Sequence, residues 1–353
     1  MLGYLPRWAA CLAVGMLACG CPPLPPPPPP PPPEPAWATV FEGTDLDRAV
    51  VSVWGDAPDS VFVVGGPLGN EGFEALALHY DGEAWSDLRP GGARSFWWVN
   101  GTSHDDVWMV GEQGRIVHYD GTGFASHDFA TSATLWGVMA FSSDDVWVVG
   151  GTPGGGASEP NDIVLHYDGA GWAEVGLPGD PRGLALYKIW GTSSDDLYVV
   201  GEDATLWHKT ADTWSLEPPP PGVNSTLFTV HGCDATRVYA VGGLHLLSTA
   251  GDGTWTKESV ELGNGVNGVS CAAPDHLVLA GGLGLKQRLV DGVWLDEFDK
   301  PPFKDLHGSW AAADGTFWVV GGGWVDGAAK PFEPREGVVA RFGPGVISNQ
   351  IRP

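Results

Sequence analysis

The sequence predicts an all-β chain, a closed seven-bladed β-propeller of four-stranded antiparallel blades, preceded by a signal peptide and a polyproline stalk. Three observations carry that expectation. Seven times a short apolar run ends in glycine, at Gly65, Gly111, Gly150, Gly201, Gly242, Gly281 and Gly321, in steps of 39 to 51 residues. Ten residues before each of these stands a small residue, which is glycine at Gly55, Gly101, Gly191 and Gly232. No helical periodicity separates the repeats, and a unit of roughly 40 residues that reads as four short strands is one propeller blade. The chain divides accordingly into residues 1–18 as signal peptide, 19–36 as lipidated N-terminus and proline-rich linker, and 37–353 as propeller.

The leader begins with one positive charge, Arg7, and an apolar run from Trp8 to Ala18 that is too short to span a bilayer. Met16-Leu17-Ala18-Cys19 resembles the lipobox of bacterial lipoproteins, with a small residue before the cysteine that would be lipidated. It departs from the usual pattern at Met16 and Leu17, and Cys21 is the alternative acceptor. The expected address is the bacterial cell envelope, at the outer membrane or cell surface through a lipid anchor alone, with plain secretion as the alternative. Pro22 to Pro35 is broken only by Leu24 and Glu34. At about 3.1 Å per residue a polyproline II run of this length would hold the globular part roughly 40 Å from its anchor.

One repeat shows the blade plainly. Trp97-Trp98-Val99-Asn100-Gly101 leads through an Asp-rich turn to Val107-Trp108-Met109-Val110-Gly111, then to Arg115-Ile116-Val117-His118-Tyr119, then through Asp120-Gly121 to Phe124. Asp and Ser support tight turns by bonding their own backbone, and Asp-Gly supplies the positive φ of a short hairpin. The second strands, such as Val146-Trp147-Val148-Val149, are apolar throughout, as expected of strands buried on both faces between blades. Trp85, Phe124, Trp172, Trp214, Trp255 and Trp294 follow the third turns and are expected in the inter-blade core. Closure would remove open sheet edges. Trp37-Ala38-Thr39-Val40 resembles an outer strand and is a candidate to complete the last blade, in competition with Val346-Ile347-Ser348.

Cys233 and Cys271 sit one residue out of register on adjacent first strands. Strict alternation would point them to opposite faces, so two buried free thiols are expected rather than a bridge. With 43 acidic against 18 basic residues and a formal charge of −25, the chain repels phosphate backbones, and nucleic-acid binding is excluded. A monomer is expected.

Acidic pairs recur at Asp105-Asp106, Asp144-Asp145 and Asp195-Asp196, but they lie in different blades without a calcium-loop spacing. Turn formation explains them, and a structural calcium ion is the one cofactor they would admit. His79, His118, His166 and His208 recur at equivalent third-strand positions, so a repeated packing or hydrogen-bonding role explains them better than one catalytic centre. No zinc-ligand motif and no nucleophile-elbow motif is present.

Irregular length collects on one rim. Pro67–Phe73, Thr152–Asp162 and Trp324–Gly337 interrupt the connection between second and third strands, and Glu217–Asn224 links two blades. All four open on the same face, which is the expected binding face. Near it, at equivalent positions of the first strands, stand Val51, Trp97, Trp136, Tyr187, Phe228, Asn267 and His307. The last six are candidate ligand-binding residues, because aromatic faces at a channel mouth stack on sugars or extended peptides. Packing between blades is the simpler account of the same rings.

Trp190-Gly191-Thr192-Ser193-Ser194-Asp195-Asp196-Leu197-Tyr198-Val199-Val200-Gly201 resembles the WG-x-S-x-x-D-D-V-W-x-V-G blade signature of secreted propeller lipoproteins of myxobacteria-like bacteria, over about residues 37 to 348. That resemblance implies a propeller and a surface location, and no reaction. Ser248–Trp255 is more distantly similar to the sialidase-type Asp-box but has Ala250 in place of its central Asp, and the sialidase catalytic set finds no match. Three functions compete: a non-enzymatic module that binds a glycan or an envelope or extracellular protein, a carbohydrate-active hydrolase or lyase using paired carboxylates, and an envelope assembly scaffold.

Overall fold

The computed structural model describes residues 33–69, 72–179, 182–323 and 334–352. The expectations for the leader, for lipidation at Cys19 or Cys21, for most of the proline run and for much of the Trp324–Gly337 insertion fall outside those residues.

Seven sheets, each built on four antiparallel strands, form the seven blades. Their innermost strands are Ala49–Ala57, Phe96–Ser103, Thr134–Ser142, Leu186–Ser193, Thr229–Asp234, Val266–Ala273 and Leu306–Ala311, for blades 1 to 7 in order. The second strands are buried almost end to end, as in Asp106–Gly111 of blade 2 and Asp145–Gly151 of blade 3. The core accordingly lies between blades. Trp147 and Val149 of blade 3, for example, pack with Ile189, Leu197 and Val199 of blade 4.

The repeat signature has a steric cause. A Cβ on Gly111 would stand 2.0 Å from the carbonyl oxygen of Ser95, at the start of the same blade's first strand, and Gly65, Gly242 and Gly321 are equally confined. The backbone of Gly111 is extended, so space and not φ demands glycine there. The small residue ten positions earlier makes room for a tryptophan of a neighbouring blade. Gly55 faces Trp310, Gly101 faces Trp54 and Gly232 faces Trp190.

The third-strand histidines share one role. His79, His118, His166 and His208 stack on Phe62, Trp108, Trp147 and Tyr198 with ring centroids 4.0 to 4.3 Å apart. His118, His166 and His208 bond Asp106, Asp145 and Asp196 at 2.8 to 2.9 Å. Asp145 also accepts from Ser194 Oγ, which in turn accepts from Trp147 Nε1 at 2.8 Å, tying blade 3 to blade 4. The first aspartate of the pair serves the turn, as where Ser103 Oγ donates to Asp105 and Ser142 Oγ to Asp144, each at 2.6 Å. Among the described residues no three His, Cys, Asp or Glu side chains gather closely enough to hold a metal ion.

The N-terminal strand closes the ring. Ala36–Phe41 pairs antiparallel with Gly337–Gly343 and becomes the outer strand of blade 7. Val346-Ile347-Ser348 forms no strand, and Ile351–Arg352 instead adds a short parallel strand to the outside of blade 1.

One expectation is overturned: Cys233 and Cys271 form a disulfide, with their Cα atoms 5.0 Å apart. Alternation fails because Cys233 is the extra residue of a β-bulge between Gly232 and Asp234, whereas Cys271 is still paired with Leu277. A bulge turns its extra side chain off the regular alternation, which absorbs the one-residue offset.

Candidate functional site

Besides blade 1, where the bulge between Val50 and Ser52 leaves Val51 extra, five innermost strands carry a bulge near the end where they enter the blade, between Phe96 and Trp98, Leu135 and Gly137, Leu186 and Lys188, Val266 and Gly268, and Leu306 and Gly308. The extra residues are Trp97, Trp136, Tyr187, Asn267 and His307. Phe228, just before Thr229–Asp234, completes the set, its N–H donating to Val241 O at 2.7 Å. Sparing these side chains from the ladder aims them at the propeller axis.

They meet there. Trp97, Trp136, Tyr187, Phe228, Asn267 and His307, joined by Pro153 and Lys188, line a cup of about 200 Å³ at the axis. Ring contacts run from blade to blade, His307 to Trp97 at 5.7 Å, Trp97 to Trp136 at 4.6 Å, Trp136 to Tyr187 at 5.4 Å and Tyr187 to Phe228 at 5.7 Å. All six predicted residues are half-buried, while Val51, the blade 1 equivalent, is buried. The rings therefore pack on their neighbours and also face a cavity, so the two accounts of them are not exclusive. Pro153 comes from the Thr152–Asp162 insertion, which joins the irregular rim to the cup.

Several polar atoms of the wall are tied to backbone, while Trp97 Nε1 is buried without a partner among the described residues. Trp136 Nε1 donates to Gly151 O at 2.9 Å, Asn267 Nδ2 to Leu306 O at 2.9 Å and His307 Nδ1 to Val51 O at 2.6 Å. Burial, helped by the nearby Lys188 charge, pushes His307 down to about 3, so its ring is neutral. Burial also raises the Tyr187 phenol, with Glu202 adding to the effect, so it too stays neutral.

Lys188 was not among the residues that the sequence pattern selected. It is only 3% exposed, its Nζ donates to Trp136 O at 2.8 Å, and it lies 4.2 Å from the centroid of the Trp98 ring. Trp98 belongs to a second chamber of about 240 Å³ on the inner strands, lined also by Trp54, Asn100, Trp190, His231 and Trp310. Lys188 thus sits where the two chambers adjoin. The available signal was that the equivalent residues in the other blades, Ser52, Trp98, Gly137, Thr229, Gly268 and Gly308, carry no charge.

The fold and its axial cup define the class, a seven-bladed β-propeller. Solved structures agree on that fold. A streptogramin B lyase structure superposes with a TM-score of 0.68 at 12% identity, covering 88% of this chain and 98% of that one. YCF48 bound to D1 peptide gives 0.62 at 14% identity, over 87% of this chain and 96% of that one. The WD40 β-propeller domain of Doa1 gives 0.64 at 10% identity, over 88% and 97%. No protein-family model matches the sequence, and no curated protein does.

Proposed function

We propose that this protein is a non-enzymatic interaction module, held at the bacterial cell envelope by a lipid anchor at Cys19 or Cys21, that grips part of another macromolecule in its axial cup. The observation that carries this reading is the cup itself. Residues from six blades converge on one cavity, and an irregular rim loop contributes Pro153 to its wall. The chain enters the propeller at Ala36, which pairs with Gly343 at the rim opposite the cup. Between the two partner classes, a protein segment is the better fit, and one solved propeller of similar fold was captured with a peptide. The hydrolase alternative needs two carboxylates, and among the described residues none lines the cup.

Peptide and glycan arrays probed with the full chain test this. Trp97→Ala combined with Trp136→Ala is expected to abolish binding while the melting temperature moves by only a few degrees, because these rings are half-buried. Binding that survives the double substitution would place the contact surface elsewhere and favour the scaffold reading.

A further inference from the structure

Lys188 is a buried ammonium that no carboxylate of the described residues pairs with. The chain has 43 acidic residues to choose from, and Arg288 pairs with Glu297 at 2.6 Å. The buried Lys286 and Arg115 each donate to two or more backbone carbonyls, with carboxylates acting on them through space. Lys188 has the single carbonyl of Trp136 and no such carboxylate among the described residues. Burial alone pushes Lys188 down to about 7. A buried charge without a counter-ion is costly, and an anion entering the cup beside Lys188 would offset that cost.

We propose that the cup receives an apolar carboxylate, the C-terminal residue of a partner peptide, with its carboxylate on Lys188 and its side chain against Trp97, Trp136, Tyr187 and Phe228. This rests on the cup being the binding site. Three observations favour a peptide end over a sugar. About 200 Å³ is room for one residue, not for a chain of rings. The aromatic rings meet at 52° to 66°, edge against face, so they wall a pocket and do not form a flat platform for a sugar ring. The donors of Trp136, Asn267 and His307 are already tied to backbone carbonyls, and the one buried ring N–H of the wall left without a partner among the described residues, Trp97 Nε1, is a single donor where a sugar presents several hydroxyls. Against the ammonium, a carboxylate gains a charge-assisted hydrogen bond in a water-poor site.

The groups facing Lys188 are few. Trp98 and Trp136 carry no charge, Asn267 carries none, and His307 and Tyr187 stay neutral through the physiological range. Glu202, which acts on Tyr187 through space, accepts from the backbone N–H groups of Gly154 and Ala185. Carboxylate binding therefore follows Lys188, strong while it is protonated and weakening as pH rises past its folded value.

Calorimetric titration of the full chain at pH 6 and pH 9 tests the proposal, with N-acetyl-phenylalanine, its primary amide, phenylacetate, glucuronate, and tetrapeptides ending in free or amidated phenylalanine. The free-acid peptide is expected to bind at least 10-fold more tightly than its amide at pH 6, to lose that advantage at pH 9, and to exceed phenylacetate. Lys188→Met should erase the difference between acid and amide while the protein stays folded. Equal binding of acid and amide, or an acid preference that persists in Lys188→Met, overturns the proposal. Glucuronate binding above the apolar acids overturns it in favour of an acidic glycan, and phenylacetate matching the tetrapeptide overturns the peptide as the source. If no acid binds but Trp97→Ala with Trp136→Ala still abolishes array binding, this inference fails alone. If those substitutions leave array binding intact, the reading of the cup fails with it.

Discussion

Lys188 imposes a cost that depends on pH in a calculable direction. Its folded value of about 7 lies below the roughly 10.4 of an unfolded lysine, so between the two the unfolded chain holds a proton that the folded chain lacks. Stability from this group rises with pH across that window, and below it the cost is fully present. Lys188→Met should therefore raise the melting temperature at pH 6, with the gain shrinking toward pH 10, as scanning calorimetry would show. A lower melting temperature at pH 6 would mean that the ammonium is already well paired. His307 and His231, which burial pushes to about 3 and about 4, act on a lower window. Their folded values lie below the usual 6.5, so the stability they contribute is present above 6.5 and lost as pH falls toward those values. His208 runs the other way. Burial alone would lower it, but the hydrogen bonds its ring nitrogens donate to Glu217 and Asp196 outweigh burial and raise it, so its contribution is present below 6.5 and lost as pH rises through the raised value. The six cup positions were legible in the sequence because each repeats at the same distance from a glycine. Lys188 was not, because strict alternation sends residues 187 and 188 to opposite faces, whereas the bulge at Tyr187 lets both line one cup.

The strand elements were legible from apolar runs and turn residues, but their bulges were not, since a bulge changes register without changing composition. Both departures from expectation follow from that one fact. The bulge near the start of five first strands aims its extra residue at the axis and frees Lys188 to join Tyr187 in the cup, and the bulge at Cys233 brings its thiol to Cys271. The bridge links the innermost strands of blades 5 and 6 across a separation of 38 residues. Constraining a loop of that size in the unfolded chain is worth roughly 2–4 kcal/mol. Replacing both cysteines with serine should lower stability by that amount in denaturant titration, and a reducing agent should reproduce the loss in the parent chain. Indifference to reduction would show that the surrounding inter-blade packing holds these strands unaided. Gly111→Ala probes the other repeated device. Its new Cβ would lie 2.0 Å from a backbone oxygen that cannot rotate away, so the blade must shift, at a cost of roughly 1–3 kcal/mol.

Seven blades form a closed ring only if the first and last are joined, and here the junction is made by residues far apart in the sequence. Ala36–Phe41 supplies the outer strand of blade 7, with Val40 and Phe41 buried in the cluster that also holds Trp85 of blade 1 and Trp318 of blade 7. Trp37 adds a hydrogen bond from Nε1 to Glu297 of blade 6 at 2.6 Å and an edge contact with Phe342. One six-residue strand thus touches three blades. The C-terminal pair Ile351–Arg352 is different in kind. It adds two exposed residues to an outer edge, and its ion pairs from Arg352 to Asp81 and Glu83 face solvent, where such pairs contribute little. Removing residues 1–41 should therefore unseat blade 7, expose the edge of Gly337–Gly343 and lower the melting temperature by more than about 10 °C, with a broader transition and self-association through the bared strand. Removing residues 351–353 should move it by no more than about 2 °C. Scanning calorimetry with size-exclusion chromatography separates the two. A sharp, unshifted transition after the N-terminal deletion would mean that blade 7 stands on three strands, and that ring closure here rests on inter-blade packing without the strand that joins the ends.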